Sequence, residues 1–362
     1  MIQQTLRIVG AIAAKDIGDA IRNRTTLSVI LGTLVLMLSS LAMPLLTNLD
    51  RRPTALVVDP GRSPVILALT TREDFRLRLA RSDEEMRERL GGSTALALGL
   101  IIPPGFPDTT PDSGTVTLPG YVPHWASKDD VAALSVFFEA RLTEAAGRPV
   151  AIDLVGNALY PSPTAFGGHT MAASASGVAI LTVGLALAAN LLTEENETRT
   201  LDALLVSPAR YGHVVVAKTL TGLFYCGCAA TVAFLVNARW FVHWGLALTA
   251  TLLGAIFVVI LGLLLGSLIG SSFNANMWMG LVALVVLVPG FAGSILGANT
   301  APAVRAAMTW VPSGAMNVLL VHAMLGEIRI AAWGPPLARL TAGAGLIVAL
   351  MVWRVRRVER HR

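Results

Sequence analysis

Residues 246–270 read LALTATLLGAIFVVILGLLLGSLIG, and residues 277–297 read MWMGLVALVVLVPGFAGSILG. They lie in a longer stretch, between Arg239 and Arg305, that contains no Asp, Glu, Lys or Arg. A helix that crosses a bilayer needs about 20 predominantly apolar residues, so the stretch has room for two spans. The polar residues 271–276, SSFNAN, separate the two apolar runs. This pattern predicts a transmembrane hairpin in an integral membrane protein.

The composition agrees with a membrane protein. The chain is 54% hydrophobic and 14% charged, whereas a typical soluble domain has about 25% charged residues. Its two cysteines, Cys226 and Cys228, are two positions apart in an apolar segment and point to different faces of a helix. They indicate neither a disulfide framework nor a metal site.

Six transmembrane spans are predicted, at residues 27–47, 171–193, 219–238, 246–270, 277–297 and 335–356. The last apolar run is short, because Arg339 and Arg354 bound it closely. We expect its helix to begin at Pro335, since proline suits the first helical turn. Arg339 then extends its guanidinium to the outer interface.

Basic residues predict the orientation of these spans. With six spans both termini lie on one side, which collects twelve Lys and Arg residues against four in the short opposite loops. Basic residues concentrate in cytoplasmic loops, so both termini, including the basic tail 357–362, are expected in the cytoplasm. The excess of Arg over Lys favours a bacterial source, and hence the bacterial cytoplasmic (inner) membrane.

Two segments outside the spans have patterns of their own. Residues 48–170 contain β-rich runs and two capped helices, after Ser82 and Ser127, and predict an extracytoplasmic α/β domain inserted between spans 1 and 2. Residues 1–26 carry apolar side chains at every third or fourth position. That pattern favours an amphipathic helix lying in the membrane surface, although a helix of a cytosolic bundle has the same pattern.

The sequence contains no recognised motif for catalysis or cofactor binding. It has no GxxxxGK[ST] phosphate loop, no HExxH and no GxSxG, so we expect no enzyme activity, cofactor or metal in this chain. Topology explains the basic residues without a nucleic acid. The predicted spans also lack the internal charges that ion-coupled transporters usually have, so transport needs an energy source outside the chain. Gly262, Gly266 and Gly270 recur at every fourth position, which allows close helix approach.

The loop after span 2 offers a place for that energy source. Residues 194–210 read EENETRTLDALLVSPAR, and on a helix the leucines form one apolar stripe that Pro208 would end. Such a helix at the end of a span indicates a binding site for a protein partner, although a solvated helix end would have the same residue pattern. The candidate site residues are Glu195, Glu197, Thr200, Leu201, Asp202, Leu204, Leu205, Pro208 and Lys218.

At these residues the chain resembles permease subunits of the ABC-2 type, in particular the sodium-exporter-like (NatB-like) branch. That family has an acidic stretch after span 2, then Thr-Leu, an acidic or polar residue, two leucines and Ser/Thr-Pro, with a Lys near span 3. The matching residues here are Thr200-Leu201-Asp202, Leu204-Leu205, Ser207-Pro208 and Lys218, whereas Arg199 replaces the family's usual Gly. Residues 309–312, TWVP, and residues 313–326 resemble the family's partly re-entrant segment before the last span.

The resemblance implies that the 194–210 helix couples the chain to a separate ATP-binding subunit, which would hold ATP and Mg²⁺. The predicted fold is an α-helical polytopic membrane protein with six transmembrane helices and the inserted α/β domain. The predicted function is that of a permease subunit of an ATP-driven exporter, working with a second permease chain as a homo- or heterodimer. Two alternatives stay open: a membrane-anchored receptor or scaffold that does not transport, and a secondary transporter, which the lack of intramembrane charges disfavours.

Overall fold

The structure is a computed structural model and describes residues 2–22, 27–35, 37–38, 52–107, 114–163, 165, 167–197, 211–268, 272–295 and 301–360. Its helices there are α1 (Ile2–Arg22), α2 (Pro64–Leu69), α3 (Asp83–Gly91), α4 (Lys128–Ala146), α5 (Gly168–Glu197), α6 (Tyr211–Asn237), α7 (Trp244–Leu268), α8 (Ser272–Ile295), α9 (Pro302–Trp310), α10 (Pro312–His322) and α11 (Ile330–Arg360). A 3-10 turn covers Ala238–Trp240, and residues 27–35 and 37–38 are also helical. The strands are β1 (Thr54–Val58), β2 (Arg76–Ala80), β3 (Leu98–Ile101), β4 (Val116–Pro123), β5 (Val150–Asp153) and β6 (Ala158–Leu159).

The chain forms two compact units. The sheet unit is Ala42–His169, and the helical unit combines Met1–Leu41 with Thr170–Arg362. The sheet unit is built on one mixed sheet with the strand order β2-β1-β3-β4-β5, and β6 also pairs with β4. β3 and β4 are antiparallel, whereas the other neighbouring strands are parallel.

Both faces of this sheet are buried, as is usual where helices cover a largely parallel sheet. Successive residues of β1 point to opposite faces, so Val57 packs with the side chains of α2 and α4. Val58 packs on the other face with Met86 of α3. Gly99 of β3 permits this close contact, because a Cβ atom there would lie 2.5 Å from Met86 Sδ.

Both helix starts predicted for the sheet unit are present. Ser82 Oγ accepts a hydrogen bond from Glu85 N–H at 3.2 Å before α3, and Ser127 Oγ accepts one from Asp130 N–H at 3.1 Å before α4. Gly147 follows α4 with φ 68°, the left-handed conformation that commonly ends a helix. These local signals explain why the helices lie where the sequence pattern places them.

The helical unit contains four helices, among the residues described, that are long and apolar enough to cross a membrane. They are Gly168–Thr193, Tyr211–Trp240, Trp244–Leu268 and Ile330–Arg360, and they correspond to predicted spans 2, 3, 4 and 6. Predicted span 1 is described only at residues 27–35 and 37–38. Predicted span 5 falls in α8, a helix of 24 residues that includes the apolar segment Gly280–Phe291. This set of helices agrees with a polytopic membrane protein.

All five of these helices begin before the predicted spans, and three of them do so by five or more residues. α6 begins at Tyr211, and Lys218, which was expected just before the span, is buried within the helix. α8 begins at Ser272, so most of the predicted turn 271–276 is helical, and polar residues of this kind suit the first turn of a helix. α11 begins at Ile330 and contains Pro335 and Pro336 in its second turn, where each lacks the N–H that would bond the carbonyl four residues earlier.

Glycines bring α7 close to α5. A Cβ atom at Gly262 would lie 2.9 Å from Leu185 O, and one at Gly266 would lie 2.8 Å from Ala189 O. The predicted close approach is therefore confirmed for these two glycines, whereas Gly270 lies outside the described residues.

The chain turns sharply between α9 and α10. Val311 has extended backbone angles, φ −74° and ψ 130°, and Pro312 opens α10. α10 has 11 residues, about 16 Å at 1.5 Å per residue, which is too short for a hydrocarbon core of about 30 Å. Most of its side chains are buried, and after it Ala323 O accepts a hydrogen bond from His243 N–H at 2.8 Å. α10 is thus a short helix packed inside the helical unit.

Candidate functional site

The described residues of the predicted site belong to a helical hairpin. Glu195 and Glu197 lie in the last turn of α5, and Lys218 lies in α6, about two turns after its start. The remaining predicted residues lie outside the described part of the chain: Thr200, Leu201, Asp202, Leu204, Leu205 and Pro208.

The two helices of this hairpin are antiparallel. Early in α5, Ser176 Oγ accepts a hydrogen bond from Asn237 Nδ2 at the end of α6, at 3.4 Å. Later in α5, Leu187 packs with Tyr225, which is nearer the start of α6. The hairpin therefore brings both ends of residues 198–210 to one end of the helical unit.

The N-terminal helix packs beside that end. Val9 and Ala13 of α1 cluster with Ala217 of α6, and Tyr225 Oη donates a hydrogen bond to Ile17 O at 2.8 Å. Later positions of α1 contact later positions of α6, so the two helices run in the same direction. One face of α1 is thus attached along the first half of α6.

A buried ion pair joins these two helices. Lys218 Nζ lies 2.9 Å from Asp16 Oδ2, and the two residues are 2% and 7% exposed. The two atoms are close enough for an ion pair, but no well-aligned hydrogen bond from the described residues reaches Asp16 Oδ2. Removing one partner of a buried pair typically costs about 3–5 kcal/mol, because the other charge stays buried without compensation.

Lys218 is one of the predicted site residues, whereas Asp16 is not. Its position in the sequence indicates that it borders the packed face of α1, since Asp16 lies three residues after Ala13 and directly before Ile17, at the edge of the apolar stripe. Sequence alone does not show which helix α1 contacts, and therefore does not pair the two charges.

The end of α11 contacts the same region of the helical unit. Glu359 Oε1 accepts a hydrogen bond from Gly212 N–H at 3.2 Å, in the first turn of α6. Arg354 Nη2 donates to Ser267 O at 3.1 Å, in the last turn of α7. This helix end therefore connects the start of α6 with the end of α7.

Polar side chains are buried at the opposite end of the hairpin. Ser174 Oγ donates a hydrogen bond to Asn317 Oδ1 of α10 at 3.3 Å, and Ser176 accepts the bond from Asn237 described above. All four residues are at most 6% exposed. Such hydrogen bonds hold helices together in apolar surroundings. Single Ser and Asn residues do not interrupt an apolar run, so the sequence pattern does not indicate this cluster.

Metal-binding geometry is not found in the described ranges. No group of three or more His, Cys, Asp or Glu side chains there is placed to hold a metal ion. Cys226 is buried and Cys228 is exposed, and both are free thiols.

A comparison with protein families gives a match over most of the chain. The family model described as ABC-2 family transporter protein matches residues 24–353. The matched range includes residues 194–210, both helices of the hairpin and all but the last turns of α11. No curated protein and no solved structure matches the chain.

Proposed function

The chain belongs to the ABC-2 family of transporter proteins, and from this premise we propose that it is the transmembrane permease subunit of an ATP-driven exporter. The observation that carries the proposal is the family match over residues 24–353, which agrees with the long apolar helices. Permeases of this family are membrane components, and ATP hydrolysis lies in separate subunits. The motif in residues 194–210 supports a place in the sodium-exporter-like (NatB-like) branch.

In this proposal residues 194–210, of which the first four continue α5, form the coupling helix that docks on an ATP-binding subunit holding ATP and Mg²⁺. Both flanking helices are firmly packed: α5 lies against α7 at Gly262 and Gly266, and α6 is attached to α1 and α11. A displacement of the coupling helix would therefore be transmitted through α5 and α6 to the helices that they contact. Because Lys218 is buried against Asp16, it contributes by holding α1 rather than by touching the ATP-binding subunit.

The proposal includes six spans in the bacterial inner membrane, both termini in the cytoplasm, and residues 48–170 outside the cytoplasm. The distribution of twelve basic residues against four supports this orientation. A second permease chain, identical or related, completes the translocation path, because six spans without an internal repeat suggest one half of a pair. The short, buried α10 supports the interpretation of residues 313–326 as the family's partly re-entrant segment before the last span.

We predict that the sheet unit and the C-terminus lie on opposite sides of the membrane. Single cysteines replace Val155, which is 87% exposed in the sheet unit, and Arg360 at the end of α11. Cys226 and Cys228 are first replaced by Ala. A membrane-impermeant thiol reagent added to intact cells should label position 155 alone, and position 360 only after permeabilisation. Equal labelling of the two positions in intact cells contradicts the orientation.

We also predict that the purified chain hydrolyses no ATP, whereas its complex does. Isolated from its native membrane, the chain should carry an ATP-binding subunit that mass spectrometry identifies by its phosphate-loop sequence. ATP turnover should be present in that complex, absent from the chain stripped of the subunit, and absent when the phosphate-loop Lys of the subunit is replaced by Ala. Turnover by the chain alone, or a native complex without any ATP-binding subunit, overturns the proposed function.

A further inference from the structure

The Asp16–Lys218 pair joins two helices at a high cost in desolvation free energy. Lys and Asp are almost never fully buried unless they are paired, and replacing a buried ion pair with apolar residues is often neutral or stabilising. Stability alone therefore does not account for two charges that are 7% and 2% exposed. A buried pair does favour one position of each partner, because a shift that lengthens the 2.9 Å between Lys218 Nζ and Asp16 Oδ2 weakens their attraction while both groups stay out of water.

Further contacts extend the pair into a continuous line along α1. Ala13 packs against Ala217, Ala13 O lies 3.5 Å from Thr221 Oγ1, and Ile17 O accepts the hydrogen bond from Tyr225. On α1 these positions are three to four residues apart, so they occupy one face. The opposite face of α1 is exposed, including Arg7, Lys15 and Asp19.

We infer that Asp16 and Lys218 are positioning residues that clamp α1 to the first turns of α6, so that the N-terminal helix moves with the exit of the coupling helix. α6 begins at Tyr211, directly after residues 198–210, and Lys218 lies about two turns beyond that start. A displacement that enters α6 from the coupling helix is transferred to α1 through the pair. This inference rests on the proposed function, because the displacement comes from the docked ATP-binding subunit.

Hydrogen exchange measured by mass spectrometry tests the clamp in the full chain with its ATP-binding subunit bound. In the wild-type complex, ATP binding to a hydrolysis-deficient subunit should change the exchange of amides in both α1 and the first turns of α6. Asp16→Asn and Lys218→Met should raise α1 exchange at least about tenfold, or about 1.4 kcal/mol in opening free energy. In these variants the ATP-dependent change should persist in α6 and disappear from α1.

Three variants separate the clamp from general damage to the fold. Lys218→Arg keeps the charge, and the exchanged pair Asp16→Lys with Lys218→Asp restores opposite charges, so both should protect α1 better than the single neutral variants. The matched control Asp19→Asn removes an exposed carboxylate from the same helix and should behave as wild type. The charge-exchanged pair keeps the test decisive if a single variant fails to fold.

The outcomes distinguish this inference from the proposed function. Wild-type protection of α1 in Asp16→Asn overturns the clamp, and so does an ATP-dependent change that reaches α6 but not α1 in the wild-type complex. Loss of the ATP-binding subunit from Asp16→Asn also overturns it, because the pair would then belong to the docking surface. A complex in which ATP changes neither helix contradicts the proposed function itself, and the inference with it.

Discussion

With Leu204 and Leu205 both replaced by Ala, the chain should reach the membrane in normal amount but lose its ATP-binding subunit. The two leucines belong to the apolar stripe of residues 194–210, and buried interface leucines of this kind are worth about 2–5 kcal/mol together. Since about 1.4 kcal/mol is a tenfold change in affinity, binding should weaken roughly 30-fold to 4,000-fold. Co-purification from membranes, followed by titration of the isolated subunit onto the chain, measures the effect.

Charged residues next to the stripe supply the matched control. Glu197→Gln and Arg199→Gln alter the same segment, but exposed ion pairs are typically worth less than about 1 kcal/mol. These variants should keep the ATP-binding subunit and its hydrolysis. If the double-Ala variant assembles and hydrolyses ATP as the wild type does, the docking surface lies elsewhere and residues 194–210 are a solvated helix end. A variant that fails to reach the membrane would show instead that the leucines are needed for folding.

Local signals predicted the elements of the sheet unit closely. One of the β-rich runs forms β1 (Thr54–Val58), and Ser82 and Ser127 cap α3 and α4 as their sequence context indicates. Caps, prolines and β-rich runs act within a few residues, so their effects are legible in one sequence. The order of the strands depends on contacts between distant segments, and no local pattern encodes it.

The helical unit shows the same division between local and distant information. Length and apolar content predicted the four long helices, because a bilayer constrains both. The pairing of Asp16 with Lys218, more than 200 positions away, needed the packing of α1 on α6. The start of α6 at Tyr211 likewise needed that packing, since Lys218 is buried in the helix with a carboxylate 2.9 Å away. Residues 200–208 were selected by motif, and their role stays a prediction.

The double variant Gly262→Val with Gly266→Val should lose thermal stability and homogeneity in detergent. Each new Cβ atom falls within 3.0 Å of a backbone carbonyl oxygen of α5, Leu185 O or Ala189 O, and a backbone atom cannot rotate away as a side chain can. Overpacking of this kind typically costs about 1–3 kcal/mol at each site. Size-exclusion chromatography after heating should show a lower apparent melting temperature and a larger aggregated fraction than for the wild type.

A graded series tests whether close backbone approach is the cause. Ala already carries the Cβ atom that meets the carbonyl oxygen, so Gly262→Ala with Gly266→Ala should show much of the loss caused by Val. Gly227→Val is the matched control, because no other part of the described structure lies within 4 Å of a Cβ atom there, and Val has a better helix propensity than Gly. It should melt at or slightly above the wild-type temperature. Equal melting of the Gly227 and Gly262/Gly266 variants would mean that α5 and α7 tolerate a wider spacing, and that coupling through α5 does not depend on this contact.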